Sequence, residues 1–543
     1  MSAPSAMSIS SIMSTSTTMS SPATANATRE QPVSLRSWLA VLGAALGAFM
    51  AVLDIQIVNS SLQDIQGALG ATLDEGTWIA TSYLVAEIVT IPLTPWLSKV
   101  FSTRLYVIVN GCFFILFSML CAWAPDLNGM IICRALQGFT GGILIPMAFT
   151  IILTSLPPSK RPIGMAIFAI TATFAPSIGP AIGGWLTDTY GWQYIFYLNV
   201  LPGILFVSTL WLTLPKEPLN LELLKDGDWL GMITMASGLG CLEVVLEEGN
   251  RKDWFGNNMI VSLAIISAIS LIIFFWRELT AKKPLINLKL LAERNFSLAS
   301  VANTTLGFGL YGSVYIVPVY LAQIQGYSAL QIGTTMMWLG LPQLLIIPLV
   351  PKLMTKIDPR ILLGLGISLF ATSCLMNTNM TFLNAGDQLI PSLLVRAMGQ
   401  PLIMVPLSTL ATSGIQGSQA SSASALFNMM RNLGGSIGVA LISTFVTRRE
   451  QFHSSRIGES IHQASLSMQD HISGLTQQLI ARGADAVTAH DQAIKIIDNT
   501  VRREAFVMAY NDSFLIMGAT LLLSVIAISF LKKPKGPAAE GVH

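Results

Sequence analysis

The sequence predicts an all-α integral membrane protein of fourteen transmembrane helices, arranged as two six-helix bundles with an inserted helix pair. Three observations carry that reading. Only 11% of the 543 residues are charged and 52% are hydrophobic, whereas soluble domains carry roughly 25% charged residues. Lipid must therefore be the solvent for most of the surface. Apolar stretches long enough to cross a bilayer recur along the chain. Motifs of the first six stretches return, in order, in the last six. A net charge of +2 with no basic block leaves nucleic acid without a footprint, and no GxxxxGK[ST] loop signals ATP hydrolysis. The five cysteines sit in apolar stretches without CxxC spacing and read as small apolar side chains. No cofactor, metal or catalytic cluster is expected, so the chain does not read as an enzyme.

Taken in order, residues 1–36 are Ser/Thr-rich and too polar to bury a core, which predicts a disordered tail. The spans are expected near 37–58, 77–97, 105–124, 128–153, 162–185, 192–214, 228–246, 258–276, 296–320, 328–350, 361–377, 388–413, 420–446 and 509–531. Backbone groups in lipid must pair within the segment, so each is a helix. Trp78, Trp123, Trp185, Trp192 and Trp254 fall near one set of boundaries, as an interfacial belt would place them. With the N-terminus inside, the inside segments hold 19 Lys and Arg, against Arg251 and Lys252 in the short outside loops. Both termini are therefore expected in the cytoplasm. The long stretch 447–508 is left out of that count. It holds four of the five histidines, with His453, His462 and His471 nine apart on alternating helix faces, which argues against a metal site. An interrupted amphipathic helix on the outer surface and a docking surface for a partner are both open readings.

The repeat divides the chain. Ala166 to Ala169 and Ser177 to Ile182 of the fifth span recur 259 residues later as Ala425 to Asn428 and Ser436 to Leu441. RALQG from Arg134 recurs as RAMGQ from Arg396, and Pro95, Leu97 and Arg104 recur at Pro351, Leu353 and Arg360. Spans 1–6 thus match spans 9–14. The expected units are a bundle over 37–214, an inserted pair over 215–294, a second bundle over 295–531 and a tail over 532–543, with a cleft between the bundles.

Ionisable groups inside a bilayer are expensive, roughly 2.5–3.5 kcal/mol each, and mark function by default. Asp54 and Arg134 lie at similar depth in spans 1 and 4, so an ion pair is geometrically open to them. A cation and burial act oppositely on a carboxyl, so helix motion could switch its protonation. A static pair holding one bundle together is the plainer alternative. Glu87 sits near mid-membrane in span 2, where transporter sites lie, and joins Asp54 and Arg134 as a candidate for proton coupling. Glu243, in the inserted pair, is expected away from the cleft as a peripheral polar contact, and Arg396 and Arg431 are expected to be structural charges. In span 5, Ala175, Gly179 and Gly183 form a small-residue flank, beside Pro176, Pro180 and Gly184, suited to a close contact between bundles. Gln137, Phe308, Tyr311, Met337 and Trp338 are candidates for a greasy cavity, although helices apolar all round do not reveal which face they turn inward.

These residues bring out a family resemblance. LDIQIVNSSL from Leu53, RALQG from Arg134, IGPAIGG from Ile178, WQYIFYLNVLPG from Trp192 and NMMRNLGGSIG from Asn428 make the chain resemble the fourteen-spanner drug:proton antiporters of the major facilitator superfamily, the EmrB/QacA subfamily, over roughly residues 35–535. The resemblance implies a major facilitator fold and proton-coupled export of hydrophobic or amphipathic small molecules, with Asp54 and Arg134 in proton coupling. It implies that Gly179, Pro180, Gly183 and Gly184 belong to a motif of exporters. Gram-negative members sit in the inner membrane and work with a periplasmic adaptor and an outer-membrane channel. A dedicated metabolite exporter, for a siderophore or a fatty acid, and a non-transporting sensor are the alternatives on the same scaffold. The first inside loop departs from the superfamily pattern: around Pro95, Leu97, Lys99, Ser102 and Arg104 the expected Gly, Asp and second Gly are missing, which puts the usual charge lock in doubt.

Overall fold

The computed structural model describes residues 33–225, 227–281, 284–412, 415, 419–460 and 466–530. Of the expected tails over 1–36 and 532–543, all but 33–36 lies outside them, as does His462. Fourteen long helices make up the body: α1 (Leu35–Ser60), α2 (Trp78–Val100), α3 (Thr103–Ala122), α4 (Leu127–Gly141, resumed as Leu144–Ser155), α5 (Arg161–Tyr190), α6 (Tyr194–Tyr197, resumed as Val200–Thr213), α7 (Trp229–Glu248), α8 (Asn258–Thr280), α9 (Arg294–Gln323), α10 (Ala329–Ile346, resumed as Val350–Met354), α11 (Pro359–Met376), α12 (Gly386–Thr412), α13 (Ala420–Ser460) and α14 (Ala486–Ser529). Thirteen of the fourteen are long and apolar enough to cross a membrane. The exception is α2, diluted by Thr81, Ser82, Glu87, Thr90 and Thr94, all buried. Its polarity faces protein, so α2 crosses with its neighbours as solvent. The chain is a multi-pass membrane protein.

In the first half α1 packs on α5 and α6, and α2 and α3 pack on α4; in the last six helices α9 packs on α13 and α14, and α11 on α12 and α14. Glycine sets the closest crossings. A methyl group at Gly138 or Gly142 of α4 would run into the α2 backbone at Tyr83 or Glu87. The halves meet along α5 and α10, with Ala181 against Gly333 and Ser177 against Gly340, and along α2 and α13. The helix α8 packs chiefly on α7 and turns Ile265, Ile269, Ile272 and Trp276 outward, as a lipid-facing helix does. By contrast, α7 also packs on α2 and α13.

Two span boundaries differ from the sequence reading. Apolar residues stop near 446 and resume near 509, but the helices do not: α13 runs 41 residues to Ser460 and α14 runs 44 residues from Ala486. A shorter helix, Leu466–Ala481, packs on α14. The described part of the expected outside loop is thus a helical protrusion. It is clasped at its root by Asp512, which accepts from Arg449 Nε and contacts His453 Nε2, each at 2.7 Å.

Candidate functional site

The bundle has a terminal face, where α1 begins and α14 ends, and a far face carrying the protrusion. A cavity of about 640 Å³ runs inward from the far face. Gln63, Thr77, Asn250 and Arg251 mark its mouth; Glu87, Ile145, Met404 and Arg431 mark its floor. Toward the terminal face the halves close on each other. Phe149 of α4 stands 5.9 Å from Phe427 of α13, centroid to centroid, and Ser424 Oγ donates to the Pro146 carbonyl at 2.8 Å.

Behind α1, inside the first half, lies a buried polar centre. Arg134 Nη1 donates to Asp54 Oδ2 at 2.6 Å and to Gln137 Oε1 at 2.7 Å. Asn199 Nδ2 and Gln137 Nε2 donate to Asp54 Oδ1 at 2.6 and 3.0 Å. Arg134 Nε reaches the Ile79 carbonyl at 3.2 Å, and its guanidinium lies 4.3 Å from the Tyr83 ring centroid. Asp54 is 2% and Arg134 1% exposed. Three N–H donors converge on the two Asp54 oxygens, the pattern an ionised, acceptor-only carboxylate takes. The centre ties α1, α2, α4 and α6 together, so any change in it is felt by four helices. The helix α2 joins it to the cavity: Tyr83 packs under Arg134, and Glu87, one turn on, lines the cavity floor.

The structure brings Asp54 and Arg134 together but sets Glu87 apart from them, with Asn432 Nδ2 at 3.5 Å from its Oε1. Glu243 is not peripheral. Because α7 packs on both α2 and α13, Glu243 is 2% exposed, lines the cavity and accepts from Ser436 Oγ at 2.8 Å. Arg431 also lines the cavity, with Nη2 held by Asn428 Oδ1 at 2.9 Å. Arg396 is buried in the second half, away from the cavity wall, and donates to the Leu310 carbonyl at 3.4 Å.

Of the five greasy candidates, Tyr311 lines the cavity. Gln137 belongs to the Asp54 centre. Phe308 lies with its backbone against Gly438, Met337 is half-buried outside the cavity, and Trp338, 47% exposed, points to the bilayer. In the α5 motif, Pro176 and Pro180 line the cavity. The flank of Ala175, Gly179 and Gly183 does not face the other half: Gly179 and Gly183 receive α1 at Gln56 and Ile57, and Ala175 is buried in a core cluster with Leu53 and Ile57. Gly184 faces the other half, against Ala329 and Leu330. In the irregular loop, Arg104 Nη2 donates to the Trp211 carbonyl at 2.7 Å within its own half.

Sequence reasoning did not single out Asn199, Ser436, Glu247 or Glu248. Asn199 was legible as an amide inside an apolar run. Glu247 and Glu248 fell beyond the predicted end of span 7, yet both line the cavity, and Glu248 Oε1 accepts from Thr77 Oγ1 at 3.0 Å.

Comparison with known proteins agrees with this architecture. The sequence profile of the Major Facilitator Superfamily matches residues 44–439. The chain is 33% identical to the fatty acid resistance protein FarB of Neisseria gonorrhoeae, covering 93% of this chain and 98% of FarB. It is 32% identical to the multidrug export protein EmrB of Haemophilus influenzae, covering 92% and 96%. Among solved structures, the proton:xylose symporter XylE superposes with a TM-score of 0.57 over 93% of this chain and 98% of that one, at 14% identity, a likeness of fold.

Proposed function

The chain belongs to the Major Facilitator Superfamily, and from that premise we propose that it is a proton-coupled exporter of hydrophobic or amphipathic small molecules. The observation that carries the reading is a cavity open at one face only, one helix away from the buried Asp54–Arg134 pair. Cargo occupies the cavity, and a proton exchanges at Asp54. Protonation of Asp54 cancels its charge and releases Arg134 toward Gln137 and the Ile79 carbonyl, which loosens α1 from α4. The helix α2 passes that change to the cavity through Tyr83 and Glu87. The low dielectric around the pair makes its two protonation states structurally distinct.

Both termini lie in the cytoplasm on this reading, and the membrane is the bacterial inner membrane. The far face is then periplasmic, and the cavity opens outward. Residues 37–214 and 295–531 act as the two rocking bundles, with 215–294 inserted between them. The helical protrusion docks a periplasmic adaptor leading to an outer-membrane channel. A dedicated cargo such as a fatty acid is the second reading, favoured by the similarity to FarB.

Everted vesicles carrying the protein test the export step: addition of a cargo molecule from a dye, drug and fatty acid panel should dissipate an imposed proton gradient. A silent response across the panel overturns coupling. For the adaptor, replacing 461–485 by a short polar linker should keep vesicle transport and lose adaptor capture in a pull-down. Full capture would discard docking there.

A further inference from the structure

The inserted helix α7 brings to the cavity a carboxylate that proton exchange at Asp54 does not use. Glu243 is 2% exposed, and while its Oε1 accepts from Ser436, its Oε2 has no hydrogen-bond partner. An unmatched carboxylate oxygen in a medium of low dielectric is costly, and such groups persist where something else completes them. Glu247 lies one turn further along α7, on the same face, and Glu87 lines the cavity from α2. Among the described residues none of Glu87, Glu243 and Glu247 makes an ion pair, while Arg251 approaches Glu248 at 3.9 Å and Arg431 is held by Asn428. The cavity wall therefore carries four carboxylates against two guanidiniums, with the surplus centred on α7. Among the described residues no cluster of three or more His, Cys, Asp or Glu suits a metal ion. The cavity that Glu243 lines gives a partner its route to the side chain.

We propose that Glu243, positioned by Ser436, binds the N–H-bearing cationic head group of an amphiphilic cargo molecule, an ammonium or amidinium, through its carboxylate as the buried side chain turns into the cavity. The apolar body of the cargo then lies against Leu84, Ile88, Val314 and Met404, which share the same cavity wall. An N–H cation supplies both things the oxygen lacks, a donor and a counter-charge, and charge-assisted bonds of this kind are about twice as strong as neutral ones. The proposal rests on the cavity being the cargo site, and it makes the inserted pair a determinant of specificity rather than a spacer. A proton on Glu243 is the rival occupant.

The test is equilibrium binding to the full-length protein in lipid nanodiscs, with the fluorescent bis-amidinium 4′,6-diamidino-2-phenylindole as the cationic N–H probe and Nile red as the neutral one. Glu243→Gln should weaken the amidinium by about tenfold or more while Nile red changes by less than about twofold. Ser436→Ala should weaken the amidinium by a smaller factor, since it removes only the positioning donor. Retained Nile red binding certifies the fold of each variant. Equal loss of both probes, or no loss of either, overturns the proposal, and so does unchanged amidinium binding with altered proton release, which would make Glu243 a proton site only. Wild-type protein that binds neither probe would instead overturn the cavity reading on which the proposal stands.

Discussion

The two halves repeat one scaffold but carry different centres. In the first, Arg134 meets Asp54, Gln137 and the Ile79 carbonyl. In the second, the matching Arg396 stacks 4.8 Å from the Phe370 centroid and, among the described residues, reaches only the Leu310 carbonyl, with its Nε unpartnered. Two small changes separate them. The repeat offset of 256 found in the loops places Leu310 where the first half has Asp54. The glutamine moves from three residues after the arginine to four, RALQG against RAMGQ. That step turns it by about 100° around the helix, and Gln400 Oε1 is left without a partner. One carboxylate and one register step thus separate a charge centre from an orphan cation, while the packing frame stays shared.

Breaking the first centre should have the largest effect. Asp54→Asn is expected to lower coupled transport by about two orders of magnitude while the protein still reaches the membrane, as read from cargo-induced pH change in everted vesicles. An unchanged proton signal would put coupling elsewhere and erase the functional contrast between the halves. Next comes the α1–α5 crossing. Gly183 abuts Ile57 and Ser60, whereas its repeat partner Ile442 accommodates a full side chain, 1% exposed. Overpacking there costs about 1–3 kcal/mol, so Gly183→Leu should slow efflux by roughly tenfold or more. Normal efflux from that variant would mean the crossing yields freely. The smallest effect is expected from Arg396→Met. Replacing an uncompensated buried charge by an apolar side chain of similar length is commonly neutral or stabilising, by about 1–4 kcal/mol. Efflux should stay within about twofold, and thermal unfolding in detergent should not fall. A collapse of transport would give the second centre a role of its own.

The span count, the order of helices and the Asp54–Arg134 pair were legible because each rests on a local signal: an apolar run, a repeat, or a rare charge at matching depth. Where the signal was collective, the sequence misled. Glu243 looked peripheral because an insertion need not touch the cleft, yet α7 packs on both α2 and α13. Trp338 and Met337 stood in a helix apolar on every side, where nothing distinguishes lipid from protein. The end of span 7 was drawn at residue 246 because the run turns acidic there, and the same acidity hid Glu247 and Glu248. The far ends of α13 and α14 fall outside the predicted spans for a related reason, since polarity reports the edge of the bilayer and not the end of a helix, and the interrupted helix expected over 447–508 is continuous with both. The small flank of α5 was correctly a contact surface, but spacing alone could not say whose backbone would fill it.

The continuity of α13 has a mechanical meaning. Its middle lines the cavity at Arg431, Ser436 and Ser443, and without interruption it runs a further 17 residues to Ser460. At about 1.5 Å per residue that arm is roughly 25 Å long. A tilt of about 10° at the cavity would sweep its tip by some 4 Å, because an unbroken helix bends little over that length. Held against α14 by the Asp512 clasp, the arm would act as a pointer: such a tilt would displace whatever rests on the protrusion, with no messenger between them.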